Sequence, residues 1–586
     1  MTIHTRGSDR VMFEEIHHIV TKPHRSRSSY PCPAARAVFS ISSIVAALLP
    51  ALILSCFTQA VALRHERLID SWRPLNYNVS LTFNDQLSEI TSARVEITVL
   101  SLKDSLSQID LDFGEMAVDS VTINSQAAPY ERSRELLSIK LPKATRKDTR
   151  LIVAVAYHGR PKDGLVLTAD KAGKPSAVGD NWPNRLHHWI PCFDHPAAKA
   201  TVTFSITAPA RDTVVANGKL DRVENTSNTA RTWSYSESVP IPPYCMIIAV
   251  GDFAILHPPA QEVTPLAYYV PTSDRDFALQ GFAPANPSLK LFSQTIAPYP
   301  YEKLALIIGA TRFGGMENSS AIVFPNTLFE PRPQASLSSV FKIRQGLVDV
   351  IAHEIAHQWF GDSVTESTWS DLWLSEGFAE YFAGLFIQRY EGEAAFQQYM
   401  GQEAEVYFNY EKETRTPIHD TETEDLFKLL NANNYQKGAW VLHMLRSELG
   451  DEQFFRGIRT YYETHKSSTA DTDDLRAAFE KVSGRDLKDF FARWIYGVGH
   501  PRYELSWQWK ADAKKVRLVL RQLQTEAAFP NALPLDIMTS SGKRRVVLKP
   551  TGKQTIEEVK LNEAPTAINI DPENTVLKEI NQNRQQ

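Results

Sequence analysis

The hydrophobic period of this chain changes twice, and that excludes any fold built from one kind of element. From about Arg64 to Asp252 the period is two. Tyr77, Val79, Leu81 and Phe83 alternate with polar residues, as do Val95, Ile97 and Val99, then Leu151, Val153, Val155 and Tyr157, then Val202, Phe204 and Ile206. Alternation of this kind, bounded by turn residues, reads as half-buried antiparallel strands, so residues 63–255 are expected to form an all-β domain. After about residue 280 the pattern lengthens. A short buried strand, Leu304 to Ile308, precedes Gly314-Gly315; helical patterning then runs from Leu337 to Tyr390, and further helices are expected near 435–449, 451–465, 472–483 and 486–496. Period two returns with Leu505, Trp507 and Trp509, then Val516, Leu518 and Leu520. Residues 501–586 therefore read as a small β-sandwich. A chain of 586 residues exceeds what one core supports. The expected class is a multidomain α+β protein, with residues 256–500 as its mainly helical part.

Charge and cysteine content narrow the classes. With 63 basic against 68 acidic residues the formal net charge is −5, with no basic footprint for nucleic acid. Four cysteines do not make a disulfide framework, and Cys192 and Cys245 read as buried free thiols. Residues 1–62 carry the order of an export signal: a polar, basic stretch, an apolar run from Val38 to Phe57, and Ala60-Val61-Ala62 as a small-x-small cleavage site. The expectation is an exported protein, periplasmic or secreted. Membrane association follows only if this leader is kept as an anchor or is lipidated at Cys56. The oligomeric state is left open.

His353-Glu354-Ile355-Ala356-His357 is the centre of the functional reading. Spacing i, i+4 on a helix sets both imidazoles on one face, one turn apart, and a catalytic zinc needs about three protein ligands plus one open position. Glu354, one position round from His353, is placed to act as a general base. A third ligand is expected from the acidic segment Asp371 to Glu380, where Glu376 and Glu380 stand one turn apart. Gly314-Gly315-Met316-Glu317-Asn318 follows the buried strand directly. Paired glycines let a backbone approach a ligand closely, and the carboxylate that follows suits a cation.

His353-Glu354-x-x-His357, then eighteen residues, then Glu376 resembles the gluzincin zinc aminopeptidases of the M1 family, the family of aminopeptidase N and leukotriene A4 hydrolase. The resemblance covers roughly residues 65–500. It implies a saddle-like N-terminal β domain, a thermolysin-like catalytic domain and one Zn²⁺ per chain held by His353, His357 and Glu376. Glu380 takes no assignment from the resemblance and reads as a surrounding or surface carboxylate. Gly314, Gly315, Met316 and Glu317 match the family's GxMEN motif, which implies that Glu317 binds the free α-amine of a peptide while the glycine backbone lies along the substrate. Tyr435-Gln436-Lys437-Gly438 is similar to the family's Tyr-x-Lys-Gly, which implies an oxyanion-stabilising phenol at Tyr435. Two departures stand out. The family's second amine anchor, ahead of Pro191-Cys192-Phe193-Asp194, falls here at Trp182 beside Asn181. Many members also carry a large helical C-terminal domain, and a chain closing after the sandwich would leave substrate access more open.

The expected activity is hydrolysis of the N-terminal residue from peptides with a free N-terminus, with metal-activated water, Glu354 as base and Tyr435 on the oxyanion. Two rival readings differ in what they require. A binding scaffold descended from such an enzyme would have lost a ligand or Glu354, and none is lost. A thermolysin-like endopeptidase would have no use for Glu317 or the glycine pair.

Overall fold

The computed structural model describes residues 63–330, 339–340 and 343–584, and these pack as one unit. The expected leader, residues 1–62, lies outside the described residues. The alternation read in the first half becomes an eight-stranded sheet. In spatial order its strands are Lys219–Asn225, Ala230–Ile241, Ala200–Pro209, Trp72–Phe83, Ile90–Ser101, Arg150–Gly159, Ala117–Ile123 and Gln126–Ala127. Val79 stands opposite Val95 on one side and Phe204 on the other, and Val95 opposite Val155, so the apolar positions of neighbouring strands share one face. A three-stranded sheet, Leu106–Asp112, Leu136–Thr145 and Tyr130–Ser133, adds Ile109, Leu111, Leu137 and Ile139 to the same core. One pairing departs from the antiparallel expectation. Trp72–Phe83 and Ala200–Pro209 run parallel, which the long intervening chain permits.

The middle of the chain begins with a mixed four-stranded sheet, Phe253–Leu256, Leu266–Pro271, Leu304–Gly309 and Ala321–Pro325. Nine α-helices lie among the described residues: α1 Arg275–Gly281, α2 Ala285–Thr295, α3 Gln345–His357, α4 Trp373–Glu391, α5 Glu393–Glu413, α6 Gly438–Leu449, α7 Asp451–His465, α8 Thr472–Ser483 and α9 Lys488–Trp494. The helical patterning expected from Leu337 to Tyr390 is carried by two helices, α3 and α4, with residues 337–338 and 341–342 outside the described residues. It breaks after His357, where Gly361 takes φ +114° and the chain makes the short strand Val364–Glu366 before α4 starts. Helix α5 has no counterpart in the patterning read from sequence. The helix expected from residue 435 begins at Gly438, preceded by a π-turn, Asn433–Lys437.

Residues 502–584 carry seven strands. Gln554–Lys560, Lys515–Gln522, Arg502–Lys510 and Glu579–Arg584 form one sheet, and Gly542–Leu548, Leu533–Thr539 and Ala567–Ile570 another. Trp494 at the end of α9 joins them to the helices: its ring lies 4.7 Å from that of Phe529 and its Nε1 donates to Asn531 Oδ1 at 2.8 Å. Cys192 and Cys245 are buried free thiols, as expected. No helix among the described residues is long and apolar enough to cross a membrane.

Candidate active site

Helix α3 is apolar on most of its surface, with Leu347, Val348, Ile351, Ala352, Ile355 and Ala356 buried, so its histidines are carried into the interior. His353 and His357 present their Nε2 atoms 3.0 Å apart. Helix α4 packs alongside and brings Glu376 in its first turn, its Oε2 at 3.4 Å from His353 Nε2 and 3.3 Å from His357 Nε2. The outer nitrogens are committed elsewhere. His357 Nδ1 lies 3.1 Å from the carbonyl of Phe360 and 3.1 Å from Ser375 Oγ; His353 Nδ1 lies 3.1 Å from Glu380 Oε2. A carbonyl or carboxylate only accepts, so each Nδ1 carries a proton and the two Nε2 atoms are left facing one another across 3.0 Å. Glu376 Oε2 is buried against both imidazoles. Three buried ligand atoms converge here, an arrangement that one cation can satisfy.

The dimensions suit zinc. Tetrahedral coordination with bonds of about 2.0–2.1 Å sets neighbouring donors about 3.3–3.4 Å apart, against the 3.0, 3.3 and 3.4 Å found here. Glu380, expected to be a surrounding or surface carboxylate, is partly buried beside these groups and orients His353, while the Tyr399 hydroxyl donates to Glu380 in turn. Only its place one turn beyond Glu376 announced it.

Glu354 lies close to Glu317. Glu317, Glu354 and His357 each offer one ligand atom within 4.8 Å of the others. Burial pushes Glu354 up to about 8 against the pull of the two imidazoles, and burial likewise raises Glu317. Glu376 goes the other way. Burial opposes its charge, but His357 and the hydrogen bonds to both histidines outweigh it and hold the carboxyl at about 2.

The Gly-Gly-Met-Glu-Asn segment is an edge of backbone beside this cluster. Met316 N donates to Val323 O at 2.7 Å and Val323 N to Met316 O at 2.9 Å, which tethers it to strand Ala321–Pro325, and Gln358 Nε2 donates to Glu317 O at 2.7 Å. The two glycines differ in what they allow. A Cβ on Gly314 would meet only Val350 at 3.9 Å, whereas one on Gly315 would lie 2.1 Å from Glu354 Oε1. The close approach expected at the glycine pair is thus first of all an approach of Gly315 to Glu354.

Tyr435 sits in the π-turn ahead of α6, its ring stacked on His353 with centroids 6.0 Å apart and planes within 6°. Its phenol faces Glu376. The turn can come this close because α4 and α6 meet at two glycines: a Cβ on Gly377 would lie 2.9 Å from the Gly438 backbone.

Trp182 is buried and lies edge-on to Phe313, Trp369 and Phe427 at 6.0, 5.7 and 5.7 Å. This aromatic cluster adjoins Gly314, and nothing in the sequence patterning tied Trp369 or Phe427 to the site. Asn181 is not available as an amine anchor: its Nδ2 donates to Met246 O and its Oδ1 accepts from Trp189 Nε1.

Residues 73–245 match the peptidase M1 N-terminal domain and residues 284–494 the peptidase family M1 domain. Among curated proteins, the chain is 26% identical over 469 residues to tricorn protease-interacting factor F2 of Thermoplasma acidophilum, covering 78% of this chain and 57% of that protein. It is 28% identical over 461 residues to probable aminopeptidase 2 of Sulfurisphaera tokodaii, covering 77% and 57%. It is 27% identical over 405 residues to glutamyl aminopeptidase of Rattus norvegicus, covering 67% and 42%. The chain thus spans about half the length of these relatives. Both matched domains are those of one peptidase family, in their usual order and covering together more than half of the sequence; the chain belongs to peptidase family M1.

Proposed function

We propose that this protein is a zinc aminopeptidase that removes the N-terminal residue from peptides. The observation that carries the reading is the carboxylate of Glu317 held within 4.8 Å of Glu354 and His357. A cation-binding carboxylate that close to the hydrolytic centre leaves room for one residue between a bound ammonium and the bond to be cut. An internal peptide bond has no such charge to offer.

One zinc ion per chain, held by His353, His357 and Glu376, would supply Lewis-acid polarisation of the scissile carbonyl and acidification of water. The rest falls to the protein. Glu354 accepts the proton of the attacking water and returns it to the leaving amine. The Tyr435 hydroxyl donates to the developing oxyanion. Glu317 accepts the α-ammonium, and the peptide backbone runs along Gly314, Gly315 and Met316. The names of several relatives, glutamyl aminopeptidase among them, support a peptide substrate with a free N-terminus.

The same reading assigns residues 63–255 to the N-terminal β domain, 256–500 to the catalytic domain and 501–586 to a C-terminal sandwich made by the two last sheets. The order of residues 1–62 supports export of the protein. Mass spectrometry of one peptide in free and N-acetylated form tests the activity. Stepwise loss of single residues from the free form alone is expected. Internal fragments from the acetylated form would make this an endopeptidase instead.

A further inference from the structure

Away from the catalytic centre, a 3-10 turn at Leu186–His188 carries two adjacent histidines, and the turn between strands Tyr130–Ser133 and Leu136–Thr145 brings Glu135 to them. One ligand atom from each of Glu135, His187 and His188 lies within 4.8 Å of the other two. His187 Nε2 stands 3.6 Å from Glu135 Oε2, and His188 Nδ1 stands 3.8 Å from Glu135 Oε1. Nothing in the proposed hydrolytic reaction uses these residues.

His187 is built as a ligand is built. Asp194 Oδ2 accepts from its Nδ1 at 2.8 Å and from its backbone N–H at 3.0 Å. That fixes a proton on Nδ1 and turns Nε2 toward Glu135. The residue is 8% exposed, yet Nε2 has no hydrogen-bond partner. A buried polar atom without a partner is costly unless something satisfies it. The backbone is clamped as well. Gly114 N donates to His187 O at 2.7 Å, and Arg185, just ahead of the turn, is held by Asp163 at 2.6 Å and Asp180 at 2.8 Å. A Cβ on Gly114 would strike His188 Nδ1 and Cα at 2.8 Å, so glycine there lets the second imidazole sit where it does.

We propose that Glu135, His187 and His188 form a second metal site, for a borderline divalent transition cation such as Zn²⁺, Ni²⁺ or Cu²⁺. Two imidazoles and one carboxylate select this class over Mg²⁺ or Ca²⁺, which prefer all-oxygen sets. Asp194 acts through His187 as its orienting carboxylate. The half-exposed Glu135 leaves the remaining coordination positions to water. The ion would bridge the Glu135 turn to the turn at 186–188.

The test is metal stoichiometry on the full chain already loaded with one zinc. Calorimetric titration with Zn²⁺, checked by elemental analysis after gel filtration, is expected to show a second bound equivalent. His188→Ala and Glu135→Gln should each weaken that second equivalent by at least about tenfold while the first equivalent and peptide hydrolysis are retained. Glu135 lies in an exposed turn, so its replacement tests the site even if the histidine variant folds poorly. A wild-type chain that takes up only one equivalent overturns the proposal. So does a second equivalent that both variants bind as tightly as the wild type.

Discussion

Gly315 and Glu354 occupy space that no side chain can share: a Cβ on the glycine would sit 2.1 Å from Oε1 and 2.3 Å from Cδ of the carboxylate. The contact joins the edge that is to hold the peptide backbone with the group that is to move the proton. Gly315→Ala must therefore turn Glu354 away, even though alanine is small and the segment lies at the surface of the cleft. The expected result is a fall in kcat of at least about tenfold, within the range a general base contributes, with zinc content unchanged. A variant with wild-type kcat would show that the Glu354 carboxylate works elsewhere. Gly314→Ala, with open space around it, should be mild by comparison.

Glu354→Gln removes the base and leaves the ligands. Turnover should drop by about 10²–10⁴-fold with one zinc still bound by elemental analysis. Tyr435→Phe keeps the stacking on His353 and removes only the donor. It should lower kcat by about 10²–10³-fold with KM little changed. An effect on KM alone would make Tyr435 a substrate-positioning residue.

Glu380 is the test of how the metal set is held. It accepts from His353 Nδ1 at 3.1 Å and is supported by Tyr399. Its loss frees the imidazole to rotate and lowers its basicity, so Glu380→Gln should weaken zinc by about 10–100-fold. Competition with a chelator of known affinity measures this. A variant that keeps wild-type affinity would leave Glu380 with no part in holding the metal.

These residues differ in how far the sequence announces them. The i, i+4 histidines dictate that one helix face carries both, and the following acidic helix offers two carboxylates one turn apart. Which is ligand and which is orienting partner depends on how α3 and α4 cross, and that is set by packing rather than by spacing. At Gly315 the sequence announces a close approach but cannot name the partner, since Glu354 comes from another element. Helix α5 is legible in principle: Phe396, Met400, Ala404, Tyr407 and Glu411 recur at helical spacing, but the inward set ends in a carboxylate and is diluted by acids and amides. The break after His357 is marked by Gly361 and the polar Asp362 and Ser363 that follow it. Trp369 and Phe427 reach Trp182 only through tertiary structure, and local pattern carries no trace of that.

His443 on α6 gives a pH prediction well away from the metal ligands. It is buried beside Tyr381 and Trp440, its Nε2 faces the Asn574 carbonyl, and burial pushes it down to about 4. A histidine lowered in the folded state stays neutral there while the unfolded chain takes up a proton below about 6.5. Stability is therefore undiminished above that pH and falls as pH drops from about 6.5 to 4, at up to about 1.4 kcal/mol per unit from this group. Melting curves across that window should show His443→Phe losing less stability on acidification than the wild type. Parallel curves for the two proteins would mean that His443 ionises in place.

The α-amine is where this chain departs from the pattern it resembles, and the departure makes Glu317 carry more. The position expected to hold a second anchor is Trp182, which is packed among three other aromatic rings, and the amide of its neighbour Asn181 is already used on Met246 and Trp189. Glu317 is 6% exposed, with its backbone carbonyl pinned by Gln358. An ammonium brought into that cleft without its carboxylate is a buried unpaired charge, at about 3–5 kcal/mol. Glu317→Ala should accordingly reduce kcat/KM on free-amine substrates by about 10²–10³-fold. A matched pair of substrates isolates the contact: an aminoacyl compound and its des-amino analogue, which keeps the side chain but has no ammonium. The wild type should prefer the amine strongly, and Glu317→Ala should treat the two almost alike, because the partner of the ammonium has gone. If the variant still prefers the amine by the full wild-type factor, another acceptor holds the ammonium and the assignment of Glu317 fails.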